Sequence, residues 1–147
     1  MSDPIRLQDY DPSIREVLAS GGEFRLYPRG TSMLPLLRQG IDSVSLVQPE
    51  GPFHRWDILF YRRADGSYVL HRVHSVTAEG LTLWGDNHAL LERGVRPEQV
   101  IGKVARIFRG ERELALSHPG YRLYLRLWHL RPLRRLLLKL YHSLKTR

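Results

Sequence analysis

A serine at position 32, a histidine at 71 and an aspartate at 86 stand in an order that could do acyl-transfer chemistry. A serine hydroxyl is inert at neutral pH without a base to take its proton, and the oxyanion formed on the attacked carbonyl needs hydrogen-bond donors. His71 suits the base, because an unperturbed imidazole with a pKa of about 6.5 can accept a proton near neutrality and return it to a leaving amine. A carboxylate on the far ring nitrogen would fix the tautomer and stabilise the imidazolium, and Asp86 could supply it. The set reads as peptide hydrolysis. Each residue also has an ordinary use. Asp86 in Gly85-Asp86-Asn87 could close a turn. His54, His74, His88, His118, His129 and His142 are read as structural, with His74 and His88 in reserve because they lie near the candidate segments. No His-x-x-x-His pair or carboxylate cluster has helical ligand spacing, so neither a metal nor a cofactor is expected.

These residues need elements to hold them. Gly30 lets the backbone turn and Pro35 fixes a dihedral, so Ser32 is expected at a rigid, exposed bend after a strand at Phe24-Arg25-Leu26-Tyr27. Pro35 to Arg38 reads as a helical turn, and Ser43 to Val47 as a strand closed by Gln48-Pro49-Glu50-Gly51-Pro52. Asp57 to Tyr61 and Ser67 to Val73 flank the Asp65-Gly66 hairpin signal, which puts His71 on a strand. Leu81 to Trp84 forms a second hairpin and delivers Asp86 to a strand end. A loop through Pro97 leads to strands over Val100–Phe108 and Arg112–Leu116. One short helix is predicted from the Asp11-Pro12-Ser13 start to Gly21. The fold class is mainly β and antiparallel.

At 147 residues the chain suits one domain, and with no cysteine a disulfide framework or thiolate metal site is impossible. No run approaches the roughly 18 apolar residues that span a bilayer, and residues 1–20 lack a signal peptide's pattern, so a cytoplasmic location is expected.

Several stretches resemble, in order, the successive boxes of the S24/S26 serine peptidases, the superfamily of type I signal peptidases and LexA-type self-cleaving repressors. They are Gly30-Thr31-Ser32-Met33-Leu34-Pro35, the segment 40–44, Trp56-Asp57-Ile58-Leu59-Phe60, Leu70-His71-Arg72-Val73 and Gly85-Asp86-Asn87. The resemblance covers about residues 24–108. It implies a peptidase body over 1–120, with substrate extended along a strand edge, small side chains of the substrate in shallow pockets near the cut, and removal of an N-terminal signal or leader peptide through an acyl-enzyme. Histidine followed by Arg-Val is similar to the endoplasmic-reticulum type of signal peptidase, which supports its Ser-His pair with acid in the Gly-Asp-Asn box and six residues on. Those positions here are Asp86 and Glu92, with Asp86 put first as the partner of His71. Gly30 stands where many relatives carry a hydroxyl for the oxyanion, which leaves the Ser32 backbone N–H. Thr31, Met33 and Pro35 complete the expected oxyanion and substrate-binding segment. A LexA-like self-processing protein and a non-catalytic membrane-associated adaptor are the alternatives. Against the former, the first 23 residues hold no helix-turn-helix and Ala19-Ser20-Gly21 lies very near Ser32.

Residues 121–147 differ in kind. Of 23 Lys and Arg, eight lie after Gly120 and none of the 15 acids does, so the first 120 residues balance and the tail carries the net +8. Leucines recur there at helical spacing with arginines between them, and Pro132 is a kink or break. A basic amphipathic helix of this kind suits an anionic membrane surface, with Arg126, Trp128, Arg134, Arg135 and Lys139 as the expected contacts. Packing of the leucines on the β body is the plainer reading. A nucleic acid is not expected, because a leucine stripe needs an apolar partner.

Overall fold

Alternating apolar residues separated by tight turns form eight antiparallel strands in one sheet, accompanied by three α-helices among the described residues. The computed structural model describes residues 7–146, so the first six residues of the expected body and Arg147 of the expected tail lie outside it. In chain order the elements are α1 (Leu7–Ala19), β1 (Phe24–Leu26), β2 (Ser43–Val47), β3 (Ile58–Arg62), β4 (Tyr68–Thr77), β5 (Gly80–Trp84), β6 (Glu92–Val95), β7 (Val100–Arg109), β8 (Arg112–Leu114), α2 (Pro119–Trp128) and α3 (Arg131–Lys145). The sheet runs β1-β2-β7-β3-β4-β5-β6, with β8 paired to β7.

Because side chains alternate across a strand, each face of the sheet gathers its own core. One face joins Ile58 and Phe60 of β3 and Leu70 of β4 to Ile14 and Leu18 of α1, to Met33, Leu36 and Leu37 of the serine loop, and to Tyr121 and Leu125 of α2. The other gathers Leu59 and Tyr61 of β3 with Val73, Leu81, Leu83, Val95 and Val100. Full burial of one such leucine contributes about 1.5–3 kcal/mol, so the serine loop is anchored by its own apolar residues.

The fold is therefore a mixed α/β body, with more helix than the expected mainly β class. α1 begins at Leu7, ahead of the expected cap. Asp11 serves the helix differently, pairing with Arg15 at 2.5 Å and accepting from the Tyr68 hydroxyl at 2.9 Å. The loop toward Pro97 contains β6, whose Glu-Arg-Gly-Val sequence has no alternation to reveal it, and β8 stops at Leu114. The tail is two helices. Pro132 lies in the first turn of α3, where its missing N–H is no loss, and starts the helix instead of kinking one.

Candidate active site

Residues 28–37 form a looped segment after β1. Gly30 takes a left-handed backbone (φ 84°) and donates its N–H to Gln39 Oε1 at 3.1 Å. Leu34 N–H donates to Thr31 O and Leu37 N–H to Met33 O, so the expected helical turn is present only as hydrogen-bonded turns. Met33 is buried in the core, Thr31 is exposed, and Ser32 between them is half-buried. Among the described residues the backbone N–H groups of Ser32 and Met33 have no hydrogen-bond acceptor, and Ser32 and Met33 are among the residues lining a cleft of about 790 Å³.

His71 lines the same cleft from β4, as do Tyr10, Phe24, Arg29, Phe60 and Tyr68. In the β3–β4 ladder His71 faces Leu59, and Tyr61 faces Val69, so His71 and Tyr61 are diagonal neighbours on one face. The Tyr61 hydroxyl donates to Glu92 Oε2 at 2.6 Å and lies 3.3 Å from His71 Nδ1. With its proton committed to Glu92, the phenol oxygen accepts from Nδ1–H, which leaves the Nε2 lone pair as the basic position of the ring. Glu92 Oε2 is itself 3.9 Å from Nδ1. Arg63 clamps Glu92 through Nε at 3.0 Å and Nη2 at 3.1 Å. Burial alone would raise the Glu92 pKa, but the hydrogen bonds from Arg63 and Tyr61 hold it below the usual carboxylate range. Burial pushes the His71 imidazole down to about 4, helped by the neighbouring His88 and opposed by the Glu92 charge. The His88 ring meets His71 edge-on at 5.5 Å and also lines the cleft.

Asp86 goes elsewhere. Arg72, adjacent to His71, points to the opposite face of β4, and its guanidinium takes the carboxylate bidentately at 2.8 and 2.9 Å. The Tyr124 hydroxyl adds a third bond at 2.8 Å, and His129 Nε2 lies 3.7 Å away. Both Arg72 and Asp86 are fully buried. Burial would raise the Asp86 pKa, but the Arg72 charge and hydrogen bond outweigh it and lower it. Asp86, expected behind His71, is thus bonded instead to Arg72, on the face of β4 opposite His71, and the acid that reaches the His71 ring through a hydrogen-bonded side chain is Glu92, by way of Tyr61.

The Gly-Asp-Asn turn nevertheless serves Ser32. Asn87 donates its N–H to Ser32 O at 2.8 Å and its Nδ2 to Thr31 O at 3.0 Å. A Cβ on Gly85 would sit 2.5 Å from Ser32 O, so only glycine permits this approach. Ser32 Oγ makes no hydrogen bond to His71 or to an acid, and no closed Ser-His-Asp chain exists among the described residues.

Two expected membrane contacts are also reassigned. Trp128 is 6% exposed with Nε1 on Asp86 O, and Arg134 is 3% exposed with its guanidinium inside the 85–88 turn. Both face inward, Trp128 donating to Asp86 O and Arg134 to the carbonyls of Gly85, Asp86 and His88. Arg126, Arg135 and Lys139 remain exposed. Exposed beside them are Leu123, Leu127, Leu130, Leu136, Leu140 and Leu144. No described helix is long and apolar enough to cross a membrane.

The residues that sequence reasoning missed are Tyr61, Arg63 and Asn87, while His88 had been held only in reserve. Tyr61 was missed because a two-residue Asp65-Gly66 turn would pair it with Leu70, whereas the three-residue turn over Ala64 to Gly66 pairs it with Val69 and so sets it diagonal to His71. Nothing in the sequence marked Arg63, and Asn87 stood in the Gly85-Asp86-Asn87 stretch without a role assigned to it. Comparison with protein-family profiles, with curated proteins and with solved structures gave no match.

Proposed function

We propose that the chain is a serine endopeptidase that cleaves an extended precursor or leader segment lying in the cleft beside β1. The observation that carries the reading is that Ser32 and His71 line one cleft, with a Tyr61–Glu92–Arg63 chain behind the ring. Ser32 Oγ attacks the scissile carbonyl while His71 Nε2 takes its proton, and the C–N bond breaks as that proton passes to the leaving amine. Water, deprotonated by the same ring, then hydrolyses the acyl ester and restores Ser32. The Ser32 and Met33 N–H groups are the candidate oxyanion donors. The mechanism requires Ser32 Oγ to come onto Nε2 as substrate fills the cleft, in keeping with catalytic hydrogen bonds that tighten only in the Michaelis complex. The resemblance of the sequence boxes to S24/S26 peptidases points the same way. The exposed leucines and cations of α2 and α3 support a seat on an anionic membrane surface, which fits membrane-delivered precursors.

The missing Ser32–His71 bond favours a second reading, a non-catalytic adaptor that binds peptide in the same cleft. An activated p-nitrophenyl ester, which acylates a reactive serine as p-nitrophenolate leaves, separates the two. Ser32 is expected to be acylated in the intact protein and Ser32→Ala to lose all labelling while keeping its far-UV and near-UV spectra. An unlabelled wild-type protein rejects the peptidase.

A further inference from the structure

The turn that holds the nucleophile loop has only one hydrogen bond of its own, His88 N–H to Gly85 O at 2.9 Å. The carbonyls of Gly85, Asp86 and His88 are met from α2 and α3. Tyr124 donates to the Asp86 carboxylate, and Trp128 Nε1 donates to Asp86 O at 2.6 Å. Arg134 Nη2 donates to Gly85 O and Asp86 O, each at 2.9 Å, and to His88 O. Arg72 links this set to Tyr121, whose hydroxyl accepts from Nη1 at 2.9 Å. The Arg134 guanidinium also stacks on Trp84, 4.2 Å from the ring centre. Its Nε and Nη1 are buried with no partner among the described residues. Burying a guanidinium with unused donors is costly, and packing alone would be better served by leucine or methionine. None of these helix residues lines the cleft.

We infer that Arg134, supported by Trp128 and Tyr124, is a positioning residue for Ser32, acting through the Gly85–His88 turn and the two Asn87 hydrogen bonds. The inference rests on Ser32 being the nucleophile. It makes the C-terminal helices part of the site's mounting, so that whatever seizes their outer face bears on the reactive loop.

The test uses the full chain with the same p-nitrophenyl ester, separating the maximal acylation rate from probe affinity, together with hydrogen exchange at single amides. Arg134→Met keeps the apolar stem and the contact with Trp84 but removes the three donations. It is expected to lower the maximal rate by about tenfold or more, as misplacement of a reacting group does. Probe affinity should stay within about twofold, because the cleft wall is untouched. The Asn87 amide should exchange faster while β2 and β7 amides keep their protection. Arg134→Lys, with three ammonium donors, should recover part of the rate. Wild-type acylation and wild-type Asn87 protection in Arg134→Met would overturn the inference, as would a loss confined to probe affinity. If Arg134→Met loses sheet protection, Tyr124→Phe, which removes one hydroxyl, decides by the same two readings. Should the wild-type protein resist acylation altogether, the nucleophile reading fails, while the exchange of Asn87 still tells whether Arg134 holds the loop.

Discussion

The carboxylates of Asp86 and Glu92 have different neighbours, and the difference can be measured one residue at a time. Asp86 neutralises a fully buried guanidinium, so Asp86→Asn strands Arg72 without its counter-charge. Breaking a buried pair in this way costs about 3–5 kcal/mol, to be read from urea unfolding. Glu92 is partly open to solvent and is linked to His71 through the Tyr61 hydroxyl. Glu92→Gln should therefore lower the Ser32 acylation rate by about one to two orders of magnitude, the scale of a lost acid–base helper, with at most about 1 kcal/mol of stability. The reverse pattern, a stable Asp86→Asn that loses rate beside an indifferent Glu92→Gln, would return the orienting role to Asp86.

At the scale of elements, β4 and the C-terminal helices each work on two sides. β4 offers His71 to the cleft and Arg72 to the turn under the helices. α2 and α3 send Tyr121, Tyr124, Trp128 and Arg134 inward and keep leucines and cations outward. If the outer face meets lipid, the protein should co-sediment with vesicles rich in anionic lipid more than with neutral ones, and less as salt rises. Leu136→Gln with Leu140→Gln should weaken that binding about tenfold or more, since each leucine buries roughly 1.5–3 kcal/mol of apolar surface. Binding indifferent to those leucines would leave the helices without a lipid role. Much of this architecture was legible. The strand of His71 followed from the Asp65-Gly66 turn, and the bend at Ser32 from Gly30 and Pro35. The partner of Asp86 was hidden because a sequence does not say which of two adjacent residues on a strand a distant carboxylate will meet. The inward turn of Trp128 and Arg134 was hidden for a related reason. Amphipathic spacing identifies an apolar stripe, but an arginine that satisfies buried carbonyls looks the same as one in water.

Over the whole molecule, acid should act through two imidazoles buried in their neutral form. Burial lowers both His71 and His129 to about 4, whereas in the unfolded chain each titrates near its ordinary value of about 6.5. Between those limits the unfolded state binds protons that the folded state refuses. Stability is therefore full above about pH 6.5 and falls as pH drops toward 4, by up to about 1.4 kcal/mol per pH unit for each histidine. Urea midpoints at pH 7, 6 and 5 would show the decline, and a flat profile would contradict the burial of neutral rings. The acylation rate should hold through pH 5 and fail near pH 4 as His71 protonates; a limb centred near 6.5 would contradict His71 as the base. Finally, because His71 and Arg72 are consecutive on β4, that strand obeys a rule of parity. Adding or deleting a single residue between Tyr68 and Leu70 would exchange the faces on which the imidazole and the guanidinium stand, disabling both at once. The tip of the preceding hairpin, Ala64 to Gly66, lies outside that rule, so an epitope or fluorescent reporter grafted there would leave both faces in phase.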